Sequence, residues 1–287
     1  MSLRRPARDP RVHMTSVRQL IPLTLAWERL PKSFSVHGDT SGEILVEPVP
    51  AVLLDTDDGW LLIDTGMNMP LINDPWLHKR FHTRNNQISP ITAGGEPLID
   101  EMAAYGVGVA DVSRIVLSHL HNDHAGGLRL FPAEVPVWVQ RSELDYGLTD
   151  HPFPEQHGMF RIDYDDPLIN WQLMEGDAEI APGIWAFITP GHTPGHQSFV
   201  VELQDGSGYV LPFDAGDLVE NFENEIGPGG FVHCTAEDAR QSLLRVKDVA
   251  AEYGYPIVPG HDPVAWPAFT EQLKRPRRAG PFSLSAY

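Results

Sequence analysis

The stretch His119-Leu120-His121-Asn122-Asp123-His124 puts four side chains able to bind metal ions into six residues. It follows the apolar run Ile115-Val116-Leu117-Ser118 and precedes Ala125-Gly126-Gly127, so it is expected where a strand gives way to a turn. Side chains alternate along extended chain, which sends His119 and His121 to one side, where both imidazoles reach one cation. Asp123 and His124 fall on the turn, within reach of a second cation. Imidazole nitrogen and carboxylate oxygen suit zinc, and also iron, manganese or cobalt. Gly126 and Gly127 are expected to let the chain turn tightly behind the cluster. A solvated His-rich turn accounts less well for this donor order at the mouth of a strand.

The same donor types recur where other strand-like runs end. His192 lies in the Gly/Pro-fixed loop Thr189-Pro-Gly-His-Thr-Pro-Gly-His196 after a run at 184–188. Asp214 follows the run 208–213, and Gly260-His261-Asp262 follows Ile257-Val258-Pro259. Layered α/β proteins collect their sites at such sheet edges.

Elements that could hold these donors are legible around them. Runs 49–54 and 60–64 read as two strands joined by a turn at Asp57-Asp58-Gly59, the second closed by Asp64-Thr65-Gly66. A helix is expected over 97–105, strands over 114–118 and 135–139, and a helical piece over 142–146. Strands follow at 184–188, 197–203 and 208–213. The clearest helix is 236–252, with Thr235 as N-cap, Glu237 and Asp238 in its first turn and Gly254 past its end. Segments 67–96 and 147–172 lack periodicity and are read as irregular excursions bordering a pocket. The expectation is a tail over 1–15 and a single layered α/β domain over 16–287.

Composition narrows the function. With 287 residues and 42% hydrophobic content the chain can bury a full core. It has no apolar window of about 18 residues, so no membrane span is expected. The basic N-terminus lacks the apolar segment of a secretory signal. A single cysteine, Cys234, excludes an internal disulfide and a cysteine-built zinc cage, and the expected compartment is the cytoplasm. A formal charge of −18 argues against nucleic acid and favours neutral or cationic partners. The basic cluster Lys274-Arg275-Pro276-Arg277-Arg278 reads as a solvated tail.

The pattern His119-x-His121-x-Asp123-His124, His192 in its Thr-Pro-Gly-His loop, Asp214 and His261, with the Asp64-Thr65-Gly66 strand end, resembles the metallo-β-lactamase superfamily over roughly residues 45–265. The resemblance implies a four-layer αβ/βα sandwich of two mixed sheets flanked by helices. Within the superfamily the phrase Ser118-His-Leu-His-Asn-Asp-His-Ala-Gly-Gly127, the segments Asp214-Ala215 and Glu220-Asn221-Phe222-Glu223, and Gly260-His261-Asp262 are similar to N-acyl-homoserine lactonases, the quorum-quenching lactonases. Two positions depart from that family. It usually has an aromatic residue at Asn122, and a lactone-contacting tyrosine at Asp217.

The resemblance implies one divalent ion, zinc first, on His119, His121 and His192, and a second on Asp123, His124 and His261, with Asp214 between them. It implies opening of a lactone ring by a hydroxide shared by the two ions, with Asp123 either as proton carrier or as a ligand alone. At the two departing positions Asn122 is a candidate substrate contact, and Asp217 is either solvated or a polar substrate contact in place of the tyrosine. The resemblance is also compatible with a homodimer. The alternative is a related hydrolase acting on another lactone, an aryl ester or an organophosphate. True β-lactamases usually carry a cysteine at Asp214 or lack His124, and a glyoxalase II normally adds a C-terminal helical domain. Asp64 is expected to anchor a loop or orient a ligating histidine, and His196 to be structural. His78, His82, His151, His157 and His233 are expected on surface or loops, with those in the two excursions able to line the pocket.

Overall fold

Period-two alternation of apolar residues builds two sheets, and a computed structural model describes them through residues 15–82, 88–149 and 157–273. The first sheet contains β1 (Val17–Pro31), β2 (Ile44–Thr56), β3 (Gly59–Ile63), β4 (Ser89–Ile91), β5 (Val112–Val116), β6 (Pro136–Gln140) and β7 (Asn170–Met174). Its order is β4-β1-β2-β3-β5-β6-β7, antiparallel through β3 and parallel from β3 to β7. The second contains β8 (Ala178–Ala181), β9 (Ile184–Ile188), β10 (Gln197–Glu202) and β11 (Gly208–Leu211) in the order β11-β10-β9-β8. Those four strands are antiparallel, and Ile257 adds one parallel bridge to Val210.

Alternation sorts each strand between layers. Val52, Leu54, Leu61, Ile63 and Val116 face inward, where Ile184, Phe199, Val201 and Leu211 of the second sheet meet them. Leu53, Leu62 and Ile115 face outward and pack with Leu98 and Met102 of α3 (Pro97–Ala103). On the far side Phe187, Val200 and Val210 are covered by Val246, Val249 and Ala250 of a long helix, Ala236–Tyr253. Helix, sheet, sheet and helix thus form four layers, as expected for the fold.

Several expected elements appear within a few residues of their predicted limits. The hairpin turns at Asp57 and Asp58, closed by Thr56 Oγ1 donating to Gly59 O at 2.6 Å. The long helix begins with a reciprocal cap between Thr235 and Asp238 and ends at Gly254, whose φ is 70°. The two excursions hold more structure than predicted. Segment 67–96 contains α1 (Met69–Asn73), α2 (Pro75–Phe81) and β4. Segment 147–172 contains the short helix Arg161–Tyr164 and the start of β7. The expected tail falls mainly on residues outside the described ones, as does the 274–278 cluster. Thr15 is described, and its hydroxyl donates to Glu202 O at 2.5 Å.

Candidate metal centre

Beyond β5 the chain stays extended through Leu117-Ser118-His119-Leu120-His121, held by Leu117 N donating to Trp138 O at 2.9 Å and Gln197 N donating to Ser118 O at 3.0 Å. Leu120 packs into the outer core while His119 and His121 turn together toward the sheet edge. The one-turn helix α4 (Asn122–Ala125) then carries Asp123 and His124. His192 comes from the loop between β9 and β10, Asp214 from the 3₁₀ turn Phe213–Ala215 after β11, and His261 from the loop beyond the Ile257 bridge. All these side chains are buried.

They converge as two groups. In the first, His121 Nδ1 lies 3.0 Å from His119 Nε2 and 2.7 Å from His192 Nε2, and Asp214 Oδ2 is 3.7 Å and 3.2 Å from those two Nε2 atoms. In the second, His124 Nε2 lies 3.0 Å from Asp123 Oδ2 and 3.3 Å from Asp214 Oδ1, and His261 Nε2 is 3.2 Å from Asp214 Oδ1 and 3.9 Å from Asp123 Oδ2. Asp214 therefore turns one oxygen to each group. Donors bound tetrahedrally at 2.0–2.1 Å sit about 3.3 Å apart, so both groups have the spacing a small divalent ion requires. Imidazole nitrogens facing each other at 2.7–3.0 Å have no proton arrangement that satisfies all of them, and a cation does so.

Charge points the same way. Burial drives His119 and His192 well below the ordinary histidine range and His121 down to about 4, so all three are neutral donors. Burial also opposes charge on His124 and His261, yet the carboxylates around them overcome it. His124 is raised well above its usual value by Asp123, Asp214 and Asp64, and His261 reaches about 10, mainly through Asp214. Asp123 falls to about 2 beside His124, despite its burial. Without ions the carboxylates thus hold protons on the second group, and cations that bind there must displace them.

A second ring of contacts aims the donors. Asp64 accepts from Ser118 N at 2.7 Å and Ser118 Oγ at 2.6 Å, and meets His124 Nδ1 at 2.7 Å, so it both anchors the loop and orients a donor, as expected. It does so at φ 60°, a left-handed conformation that aspartate tolerates. His196 Nε2 accepts from Asp214 N at 3.1 Å and its Nδ1 meets Thr189 Oγ1 at 2.9 Å, fixing the backbone of the shared aspartate. Glu143, which the sequence reading passed over, accepts from Leu120 N at 3.0 Å, Thr193 Oγ1 at 2.8 Å and Gly195 N at 2.8 Å. One carboxylate therefore ties the His119–His121 segment to the His192 loop.

The glycines act differently from the expectation. Neither Gly126 nor Gly127 has positive φ. A Cβ on Gly126 would lie 2.2 Å from Asn68 N, and one on Gly127 2.4 Å from Thr65 O, so close approach of α4 to the 65–68 segment excludes side chains there. Asn122 sends both N and Nδ2 to Gly158 O, at 2.9 and 3.2 Å, and leaves Oδ1 buried without a partner. Asp217 is buried three residues beyond Asp214. His82 stacks on His78 and packs edge-on against Phe160, both at 5.4 Å. His233 stacks on Tyr146 at 5.1 Å, and His151 lies outside the described residues.

Residues 44–261 match the family model described as the metallo-beta-lactamase superfamily. The chain belongs to that superfamily. Among its relatives is an N-acyl homoserine lactonase from a Bacillus species, 34% identical over 223 residues that cover 78% of this chain and 84% of that one. The N-acyl homoserine lactonase AttM of Azorhizobium caulinodans is 33% identical over 228 residues, covering 77% and 84%. The structure also superposes on an N-acyl homoserine lactone hydrolase solved with the product N-hexanoyl-L-homoserine at its catalytic metal centre. The TM-score is 0.76 at 31% identity, over 91% of this chain and 97% of that one. In this member of the superfamily, two buried His/Asp groups able to hold two metal ions stand at the sheet edge, and no helix among the described residues is long and apolar enough to cross a membrane.

Proposed function

We propose that the protein is a two-metal hydrolase that opens the ring of N-acyl homoserine lactones. The observation carrying this reading is Asp214, whose two oxygens each meet a separate group of neutral or displaceable histidines. His119, His121 and His192 would hold one ion, Asp123, His124 and His261 the other, with Asp214 shared. Such ions, when bound, polarise a carbonyl and bring the ionisation of water close to neutrality.

The chain's own residues do the rest. Asp64, Glu143 and His196 keep the donors aimed, so little reorganisation is needed as the substrate reacts. In the net reaction water adds to the lactone carbonyl, the ring C–O bond breaks, and the ring oxygen leaves as a hydroxyl that has gained a proton. Asp123 meets the second group through Oδ2, and its carboxylate would take the proton from the water and deliver it to the leaving oxygen. Asn122, tied to Gly158, would contact the substrate through its unpartnered Oδ1. Zinc as the metal, the cytoplasm as the compartment and a homodimer as the assembly belong to the same reading. The donor set supports the first and the single cysteine the second.

The test is a panel of N-acyl homoserine lactones, γ- and δ-lactones, aryl esters and a phosphotriester, with His121→Ala as control. Homoserine lactones are expected to be cleaved best, and the control to lose at least about 100-fold in kcat/KM. Efficient cleavage of aryl esters or phosphotriesters with none of homoserine lactones would contradict it.

A further inference from the structure

A cavity of about 230 Å3 lies against the outer face of the first sheet, walled by Leu128, Phe131, Val135, Val137 and Ile169. Leu128, Val135 and Val137 belong to the buried outer core, so its floor is apolar and offers water few partners. None of the metal donors lines it. Val137 of β6 is in register with Ile115 of β5, and His119 stands four residues further along the same extended chain. At about 3.3 Å per residue, that separates the cavity from the centre by about 13 Å along the sheet. The parallel strands thus carry the metal donors at their C-terminal ends and the cavity toward their N-terminal ends.

The rim holds a guanidinium that the fold does not use. Arg129, whose side chain is 48% exposed, comes no closer than 3.6 Å to Asp166 Oδ2 and makes no side-chain hydrogen bond among the described residues. Asp166 already accepts from Leu168 N at 3.0 Å through Oδ1. An exposed ion pair at that separation holds the arginine weakly, which leaves its N–H donors at the edge of an apolar hollow. The chain has 39 acidic against 21 basic side chains, so an arginine without a hydrogen-bonded carboxylate calls for a reason. Leu168, also lining the cavity, is 70% exposed, apolar surface that a ligand seated there would cover. A guanidinium pairs with a carboxylate through two parallel hydrogen bonds. At the ~30 Å3 that one water occupies, the cavity has room for roughly eight heavy atoms. We propose that it is a second ligand site, separate from the metal centre, for a short-chain monocarboxylate of about six carbons. The head meets Arg129 and the chain lies on Leu128, Val135 and Val137. Free alkanoates and ring-opened N-acyl amino acids share this carboxylate and apolar tail, and the site stands whether or not the protein cleaves lactones.

Calorimetric titration of the metal-loaded protein with acetate, butanoate, hexanoate, octanoate and hexanol tests it. Affinity is expected to rise about fourfold per methylene up to about six carbons and then to level off. Hexanoate is expected to bind at least about tenfold more tightly than hexanol, and Arg129→Gln to remove that difference while hexanol binds as before. Ala133→Phe, which narrows the cavity from its exposed side, is expected to weaken both. N-butanoyl homoserine separates the two sources. It binds more tightly than hexanoate if the site takes a ring-opened product and less tightly if it takes a free alkanoate, and Arg129→Gln weakens it in either case. Carboxylates also bind metal ions, so Asp214→Ala, which removes the shared donor, is titrated in parallel and is expected to keep the Arg129-dependent binding. Hexanoate binding that is lost in Asp214→Ala but unchanged in Arg129→Gln would place the carboxylate on the metal centre and overturn the proposal. So would affinity that does not depend on chain length, or no saturable binding of hexanoate below about 10 mM.

Discussion

At the scale of single residues, the centre depends on side chains that touch no substrate. Asp64 binds Ser118 twice and His124 once, leaving His124 Nε2 pointed at Asp214 and Asp123. Replacing Asp64 with Ala is expected to weaken metal affinity at the second group by about 10- to 100-fold, measured by competition with a chromogenic chelator. Unchanged affinity would show that His124 is held by packing alone. The seven donors were legible in the sequence because each is a His or Asp where an extended run ends, and the structure brings all of them together. Glu143 was not legible. Its donors come from positions 23, 50 and 52 residues away, and nothing in a short amphipathic helix marks one glutamate as buried.

At the scale of elements, α4 presses against the 65–68 segment with no room for a methyl group. Gly127→Ala is expected to cost about 1–3 kcal/mol, read from the midpoint of denaturant unfolding with an unchanged slope. A neutral substitution would mean that α4 can move away from Thr65. The helix Arg161–Tyr164 holds Asp163, which accepts from Asn68 Nδ2 at 2.7 Å through Oδ1 and leaves Oδ2 buried without a partner. Burial pushes the Asp163 carboxyl up to about 7. A carboxyl raised in the folded state contributes stability that is full below the unfolded pKa of about 3.9 and fades as pH rises through about 7. Asp163→Asn removes this titration, so its melting temperature should gain on the wild type between pH 5 and 8. A difference independent of pH would contradict the burial argument. The helices of segment 67–96 escaped sequence reading because Pro70 and Pro75 look like breakers, although proline is well suited to a helix's first turn. The strand β1 escaped it because Pro22 interrupts the pattern. Near Pro22 the strand pairs with β2 alone, since β4 joins it only at 27–29, so a missing donor is tolerated there.

At the scale of the molecule, the donors come from both sheets. His119, His121, Asp123 and His124 follow β5 of the first, while His192 and Asp214 follow β9 and β11 of the second. Ions bound between them would fasten the two halves of the sandwich. Ligand linkage at a thousandfold excess over Kd is worth about 4 kcal/mol per site, which corresponds to a melting temperature higher by about 10 °C for a chain of this class. Scanning calorimetry before and after chelation measures it, and coincident transitions would contradict a centre that joins the sheets. The layered architecture was legible from period-two alternation and the capped helix over 236–252. The division of strands between sheets was not, since it depends on pairings such as that of Leu61 with Arg114, far apart in sequence.

The most direct measurement is hydrolysis of an N-acyl homoserine lactone by metal-free protein as zinc is added stepwise, with bound zinc counted at each point. The shared position of Asp214 predicts ring opening that rises to its full rate at about two ions per chain and is lost in Asp214→Ala. Two ions bound per chain with no ring opening, or full activity retained in the chelated protein, would contradict the account.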